Sequence, residues 1–400
     1  MDRLLNPLKS HSFFLFGARG VGKTWLLSQL HKDATRIDLL NSRDFDRFSQ
    51  NPDLLSELVS KLGVGEQWVV IDEVQKVPEI LNLVHLEIEA HSRSRSGVTN
   101  ERPKERLLYF ALTGSSVRKL KRGKANLLAG RAFLNYLFPL TTCELPKDYE
   151  LAEILEWGTL PKIVFTENKL EREEYLYSYV NVYLREEILE EQLARSAPPF
   201  RKFLEVAAQS NGQIVNFSKI GRDVGLSSDT IQSYYEILED TLIAHRIEPY
   251  NSSVRKRQRK APKYYFFDLG VQRALSRSLG QAVPPGNYGF GRAFEHFIVC
   301  ELIRLASYKR LQWNFSYLMT KDNVEIDLII EKPNFGTTLI EIKSTTNVKE
   351  EDLSALKNLG KDIKHSEAIL ISLDKINRIS DGIKILHWME ALKELELSAP

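Results

Sequence analysis

Directly behind the apolar run Ser12–Phe16 stands GARGVGKT, residues 17–24, and a stretch with helical character follows it. A GxxxxGK[ST] loop between a strand and a helix fixes much of what the surrounding chain must do. Its glycines, Gly17, Gly20 and Gly22, let backbone N–H groups wrap a phosphate, and the helix N-terminus adds a favourable dipole. In such a loop Lys23 reaches the β and γ phosphates and the Thr24 hydroxyl sits on Mg²⁺. The expected ligands are therefore ATP and Mg²⁺.

A second apolar run, WVVIDE, carries Asp72 to the C-terminal edge of a parallel sheet, where it would hold a Mg²⁺-bound water. Glu73 follows directly and is placed to act as general base on the attacking water. Across the first 140 residues, strand-like runs at Ser12–Phe16, Ala34–Leu39, Trp68–Ile71 and Leu107–Leu112 alternate with amphipathic stretches, the pattern of parallel strands with helical crossovers. The fourth run ends LTGSS, which offers Thr113, Ser115 and Ser116 as γ-phosphate sensors, with Ser115 carried forward as the candidate. Arg131, in LLAGRA, is the first candidate for a guanidinium reaching a neighbouring subunit's γ-phosphate, and Arg118 the second.

A chain of 400 residues exceeds what one core organises, so two to four domains are expected. Its apolar fraction of 43% and charged fraction of 27% are those of a folded globular protein. A net charge of +2 means that any nucleic-acid contact must come from local patches. Cys143 and Cys300 match no metal spacing and read as buried thiols in a reducing, cytoplasmic setting. Phe13–Phe16 lacks a cleavage site, and no run of about 18 apolar residues occurs, so neither a signal peptide nor a membrane span is expected.

The pattern divides the chain into a nucleotide domain at 1–140, a helical lid at 141–199, a winged-helix region at 200–275, a Gly/Pro-rich linker at 276–291 and a C-terminal α/β domain at 292–400. In the third segment a helix runs through Val224, Gly225-Leu226-Ser227 turns, and a second helix begins with polar residues, as a helix-turn-helix needs. Ser228, Thr230 and Gln232 are positioned to face a groove. The hairpin that follows carries Arg255, Lys256, Arg257, Arg259 and Lys260, enough cations to neutralise several phosphates; the alternative is a wing that meets protein.

GARGVGKT, VVIDEVQKVP, LTGSS followed by LLAGRA, VGLSSDTIQSYYEILEDT and the late EID and EIK pairs, in this order, resemble a prokaryotic ATPase family over the whole length. In that family an AAA+ P-loop domain precedes a winged helix and a restriction-endonuclease-like (PD-(D/E)XK-type) domain. The resemblance implies an α/β multidomain fold and an ATPase that works as a homo-oligomer, a hexamer being one form. The long basic loop at 91–106 departs from it.

In the C-terminal domain, Glu325 and Asp327 share one face of a strand, and Glu341 and Lys343 one face of the next. If the strands pair, Asp327 and Glu341 converge on Mg²⁺ while Lys343 steadies a water, and Glu295 on the preceding helix supplies a further acid. The resulting expectation is a motor or remodeller acting on single-stranded, duplex or branched DNA. Its rivals are an ATP-gated nuclease and a regulatory switch that binds protein partners.

Overall fold

The computed structural model describes residues 2–93, 106–115, 128, 130–183, 197–250, 261–322, 324–333, 336–360, 363 and 365–397. The chain forms two compact units, one of residues 5–138 with 240–242, the other of residues 1–4, 139–239 and 243–400.

The first unit runs β1 (Ser12–Phe16), α1 (Lys23–Leu30), β2 (Thr35–Asp38), α2 (Ser42–Gln50), α3 (Leu54–Ser60), β3 (Gly65–Asp72), a 3₁₀ turn (Val74–Lys76), α4 (Ile80–Arg93), β4 (Arg106–Gly114) and β5 (Ala132–Tyr136). All five strands are parallel, in the order β2-β3-β4-β1-β5. Every residue of β1 is buried, as a central strand covered on both faces requires. Phe14, Phe16, Val69, Ile71, Phe110 and Leu112 lead its core, with Leu81 and Val84 of α4. Because β4 lies between β1 and β3, the loop after β1 and the acids after β3 both meet the end of β4. Gly17 stands where a Cβ would lie 2.3 Å from the Leu137 carbonyl oxygen, so only glycine lets the loop start there.

The second unit opens with α5 (Leu151–Trp157), α6 (Pro161–Val164), α7 (Lys169–Ser178) and a π turn (Tyr179–Tyr183). Next come α8 (Ala197–Gln209), α9 (Phe217–Val224), α10 (Ser228–Asp240), β6 (Ala244–Pro249), β7 (Lys263–Phe266) and α11 (Leu269–Leu275). The unit ends with α12 (Tyr288–Tyr308), β8 (Asn314–Met319), β9 (Glu325–Lys332), β10 (Gly336–Lys343), α13 (Ser354–Leu359), β11 (Ser366–Ser372), β12 (Arg378–Ser380), β13 (Ile383–His387) and α14 (Trp388–Glu394). One sheet, β12-β13-β11-β10-β9-β8-β6-β7, joins the hairpin β6–β7 to the C-terminal strands. The hydrophobic core on one face gathers Leu140, Ile154, Tyr265, Phe294, Ile298, Leu328 and Ile340, so the segments before and after the Gly/Pro-rich stretch share it. Ile326, Ile329, Leu339 and Leu370 pack on Leu353 and Leu356 on the other.

α12 begins at Tyr288, inside the stretch read as a linker and four residues before the expected domain start at 292. Asn287 caps it by accepting from the Phe290 N–H at 2.6 Å, a local signal that the Gly and Pro content of 276–291 hid. Among the described residues, no helix is long and apolar enough to cross a membrane.

Candidate functional site

Gly20 and Gly22 have φ of 82° and 96°, the left-handed conformations that bend the loop ahead of α1. Lys23 is buried, and its Nζ donates to the carbonyls of Gly17 at 2.7 Å and Ala18 at 3.4 Å. A phosphate would compete with these carbonyls for the same ammonium. The Thr24 hydroxyl donates to Asp72 Oδ2 at 2.6 Å, across the gap between the start of α1 and the end of β3. Thr113 holds the other carboxylate oxygen of Asp72, and its hydroxyl also accepts the Glu73 N–H at 3.0 Å. Thr24 and Asp72 offer oxygen donors of the kind Mg²⁺ takes alongside a nucleotide's phosphates, so the residues present fit that ion.

Glu73 has φ 55°, a left-handed conformation uncommon for a side-chain-bearing residue, and it turns the chain from β3 into the 3₁₀ turn. Its carboxylate lies 3.9 Å from Lys23 Nζ and accepts from the Gln75 amide. The same Gln75 Nε2 donates to Ser115 Oγ at 3.1 Å. Glu73, Gln75 and Ser115 therefore form one polar cluster at the ends of β3 and β4. Gln75 is the residue that reading the sequence missed; the signal was an amide two positions beyond the candidate base. Thr113 is fully buried and committed to Asp72, whereas Ser115 stays with Gln75. Ser116 and Arg118 lie outside the described residues.

Arg131 is not brought to this cluster within the chain. β1 and β5 are parallel with Ser12 opposite Ala132, so Arg131 sits at the edge where β1 begins and the phosphate loop where it ends. Five residues of strand separate those edges by about 15 Å. There Arg131 pairs with Glu89, which also meets His85 at 3.3 Å.

In the second unit, Gly225 (φ 82°) ends α9, and the N–H groups of Gly225 and Leu226 both donate to the Gly221 carbonyl at 2.8 Å. Ser227 Oγ accepts the Thr230 N–H at 3.2 Å and starts α10. Ser228 and Gln232 line a groove of 560 Å³ with Phe217 and Ala261; Thr230 is taken up by Ser227. α10 contains no lysine or arginine and exposes Asp229 and Glu239, so along these helices only Lys219 and Arg222 of α9 present cations. Arg255, Lys256, Arg257, Arg259 and Lys260 lie outside the described residues, as does nearly all of the 91–106 loop.

The C-terminal acids do converge. β9 and β10 are antiparallel with Leu328 opposite Ile340, and Asp327 Oδ2 accepts the Ile342 N–H at 2.8 Å. Lys343 Nζ donates to Glu341 Oε1 at 2.5 Å, while Glu341 Oε2 is buried with no hydrogen-bond partner. Burial, and then the charge of Glu341, push the Asp327 carboxyl well above the usual range; burial raises Glu341 too, against the pull of Lys343. Two further groups complete the cluster. Lys263 of β7, buried, pairs with Glu325 and lies 3.9 Å from Glu295, and the Tyr265 hydroxyl donates to Glu295 at 2.6 Å. Burial pulls the Lys263 ammonium down, but Glu295, Glu325 and Asp327 together hold it above the ordinary lysine range. Lys263 went unnoticed in the sequence because it is 64 residues from Asp327 and only the shared sheet unites them. Among the described residues, no three His, Cys, Asp or Glu side chains group closely enough to hold a metal. Two carboxylates, one with an orphaned oxygen, still fit the sparse ligand set of Mg²⁺ held partly by a substrate's phosphates.

Residues 9–145 match the sequence model of a family described as an AAA domain. That match and the geometry of Lys23, Thr24 and Asp72 support an AAA-type ATPase. Residues 148–281 and 290–390 match two families described as domains of unknown function, DUF8612 and DUF4143. An uncharacterized protein of Mycobacterium tuberculosis is 25% identical over 351 residues, covering 86% of this chain and 73% of the relative. One of Methanocaldococcus jannaschii is 22% identical over 442 residues, covering 97% and 86%. Among solved structures, the Aeropyrum pernix ORC2 protein in its ADPNP-ADP complexes is 13% identical, covering 68% of this chain and 88% of that one at a TM-score of 0.33. The ORC1 protein of the same organism, in complex with DNA, is 14% identical, covering 67% and 86% at a TM-score of 0.27.

Proposed function

We propose that this chain is an ATP-hydrolysing protein that engages DNA and uses turnover to move or remodel it. The observation that carries the reading is the meeting of Thr24 and Thr113 on Asp72, with Glu73 between Lys23 and Gln75. In this reading Lys23 neutralises the terminal phosphates, Glu73 accepts the proton of the attacking water, and Ser115 with Gln75 registers the γ-phosphate. Mg²⁺ held through Thr24 and Asp72 would supply charge neutralisation of the phosphates. Arg131 serves the neighbouring subunit of a cytoplasmic homo-oligomer, since its own phosphate loop is at the other edge of the sheet.

DNA engagement is supported by the order of α8, α9, α10 and the hairpin β6–β7, which is that of a winged helix. The basic run at 255–260 supports it further. With acids exposed on α10, phosphate contact falls to that run and, on α9, to Lys219 and Arg222. The test is ATP turnover measured alone and with single-stranded, duplex and branched DNA. Stimulation by one of them is the expected result; unchanged turnover with no salt-dependent DNA binding would leave a switch that binds protein instead.

A nuclease is the second reading, favoured by the orphaned oxygen of Glu341 beside Asp327 and Lys343. Labelled DNA of each structure, incubated with Mg²⁺ or Mn²⁺, with and without ATP, decides it: cleavage that disappears in Asp327→Ala/Lys343→Ala identifies a nuclease, and no product identifies a platform for binding.

A further inference from the structure

A cavity of 480 Å³ in the second unit lies between α11, the loop after it and the first turns of α12. That volume suits a small molecule of nucleotide size. Its polar lining includes Gln272, Arg273, Ser278, Gln281 and Arg292, and no aspartate or glutamate borders it.

Arg273 is 6% exposed. Its Nη2 donates to the carbonyls of Ser278 at 2.8 Å, Leu279 at 3.3 Å and Gln281 at 2.6 Å, whereas Nε is buried with no partner. Among the described residues no carboxylate pairs with it; Glu156 acts only from a distance, and burial lowers the guanidinium's pKa. Arg292, half-buried, donates to the carbonyls of Gln209 at 3.1 Å and Asn211 at 2.5 Å and lies over the Tyr288 ring, 5.7 Å from its centroid. A buried cation without a counter-charge is costly unless something else supplies one. Residues of the start of the 21-residue α12, Asn287 and Gly289, complete the wall, adding the positive end of a helix dipole. His296 at the back is neutral, since burial depresses it to about 3, and its ring is taken up by Phe266 and Asn211.

We propose that this cavity binds a phosphomonoester of nucleotide size, its phosphate between Arg273 and Arg292, at a site independent of the phosphate loop. Planar guanidinium groups match a phosphate's oxygens bidentately, and a phosphomonoester has oxygens enough to meet two of them. The inference does not rest on DNA remodelling or on ATP turnover.

The test uses full-length Lys23→Ala protein, in which the phosphate loop is disabled, and calorimetric titration with inorganic phosphate, CMP, and a hexanucleotide with and without a 5′-phosphate. Saturable CMP binding is expected, weakened at least tenfold by adding Gln281→Glu, which puts a negative charge on the cavity wall that Arg273 and Arg292 also line, without removing either arginine. Because Arg273→Met is at risk of unfolding, Gln281→Glu is the deciding variant, and its melting temperature should equal or exceed that of the parent. A gain from the 5′-phosphate on the hexanucleotide would assign the site to nucleic-acid ends, and CMP binding without such a gain to free nucleotides; either supports the proposal. No binding of any probe, or CMP binding undiminished by Gln281→Glu, overturns it.

Discussion

At the scale of single residues, the nucleotide site rests on Glu73 and the two side chains around it. Glu73→Gln should keep ATP bound while turnover falls at least about 100-fold, because the amide cannot accept the proton; ATPase assay beside nucleotide binding checks it. Gln75→Ala should lower turnover between about ten- and a hundredfold at unchanged ATP affinity, since Glu73 loses the donor that positions it. Two buried groups of the second unit give opposite pH signatures. Asp327 is raised in the folded state, so its contribution is complete below the unfolded carboxylate range and is lost as pH rises toward the folded value. Asp327→Asn should therefore raise the melting temperature at pH 8 and leave it unchanged at pH 4. His296 is depressed to about 3, so its contribution is present above about 6.5 and lost as pH falls toward 3. Replacing His296 with Gln should flatten the acid limb of the stability curve across that window, measured by denaturant unfolding.

Elements act by carrying these residues to a common edge. β1, β4 and β3 end together, and each delivers one part: the phosphate loop, the Thr113 and Ser115 hydroxyls, and the Asp72-Glu73 pair. Gly17→Ala puts a methyl 2.3 Å from the Leu137 carbonyl oxygen, and backbone at both ends of the clash must move. We expect a loss of about 1–3 kcal/mol and much weaker ATP binding, read by thermal unfolding and nucleotide titration. β9 and β10 do the same service for the acids, because their antiparallel register sets Asp327 beside Glu341. β7 brings Lys263 to them from the hairpin. A lysine there offsets the negative charge that the four acids would otherwise concentrate in a buried place.

For the molecule as a whole, the ATP site and the C-terminal acids belong to different compact units. Asp327→Ala with Lys343→Ala should accordingly leave basal ATP turnover within about twofold of wild type, as expected of sites that share no partner residues. Arg131→Ala protein mixed with Glu73→Gln protein should regain part of its turnover if subunits share a site; no oligomer in the presence of ATP would remove that mechanism. The sequence by itself determined the phosphate loop, Asp72 and Glu73, because local chemistry dictates them: glycines where the backbone must turn, apolar runs that end in acids. It also set Glu325 with Asp327 and Glu341 with Lys343 on one face of each strand, through a period of two, while the antiparallel pairing of β9 with β10 brought Asp327 beside Glu341. Gln75 as partner of Glu73, Thr113 as anchor of Asp72, Lys263 among the C-terminal acids and the burial of Arg273 against backbone carbonyls were decided only by the tertiary structure. Each depends on which strands become neighbours and which groups lose water, and those are properties of packing between segments far apart along the chain.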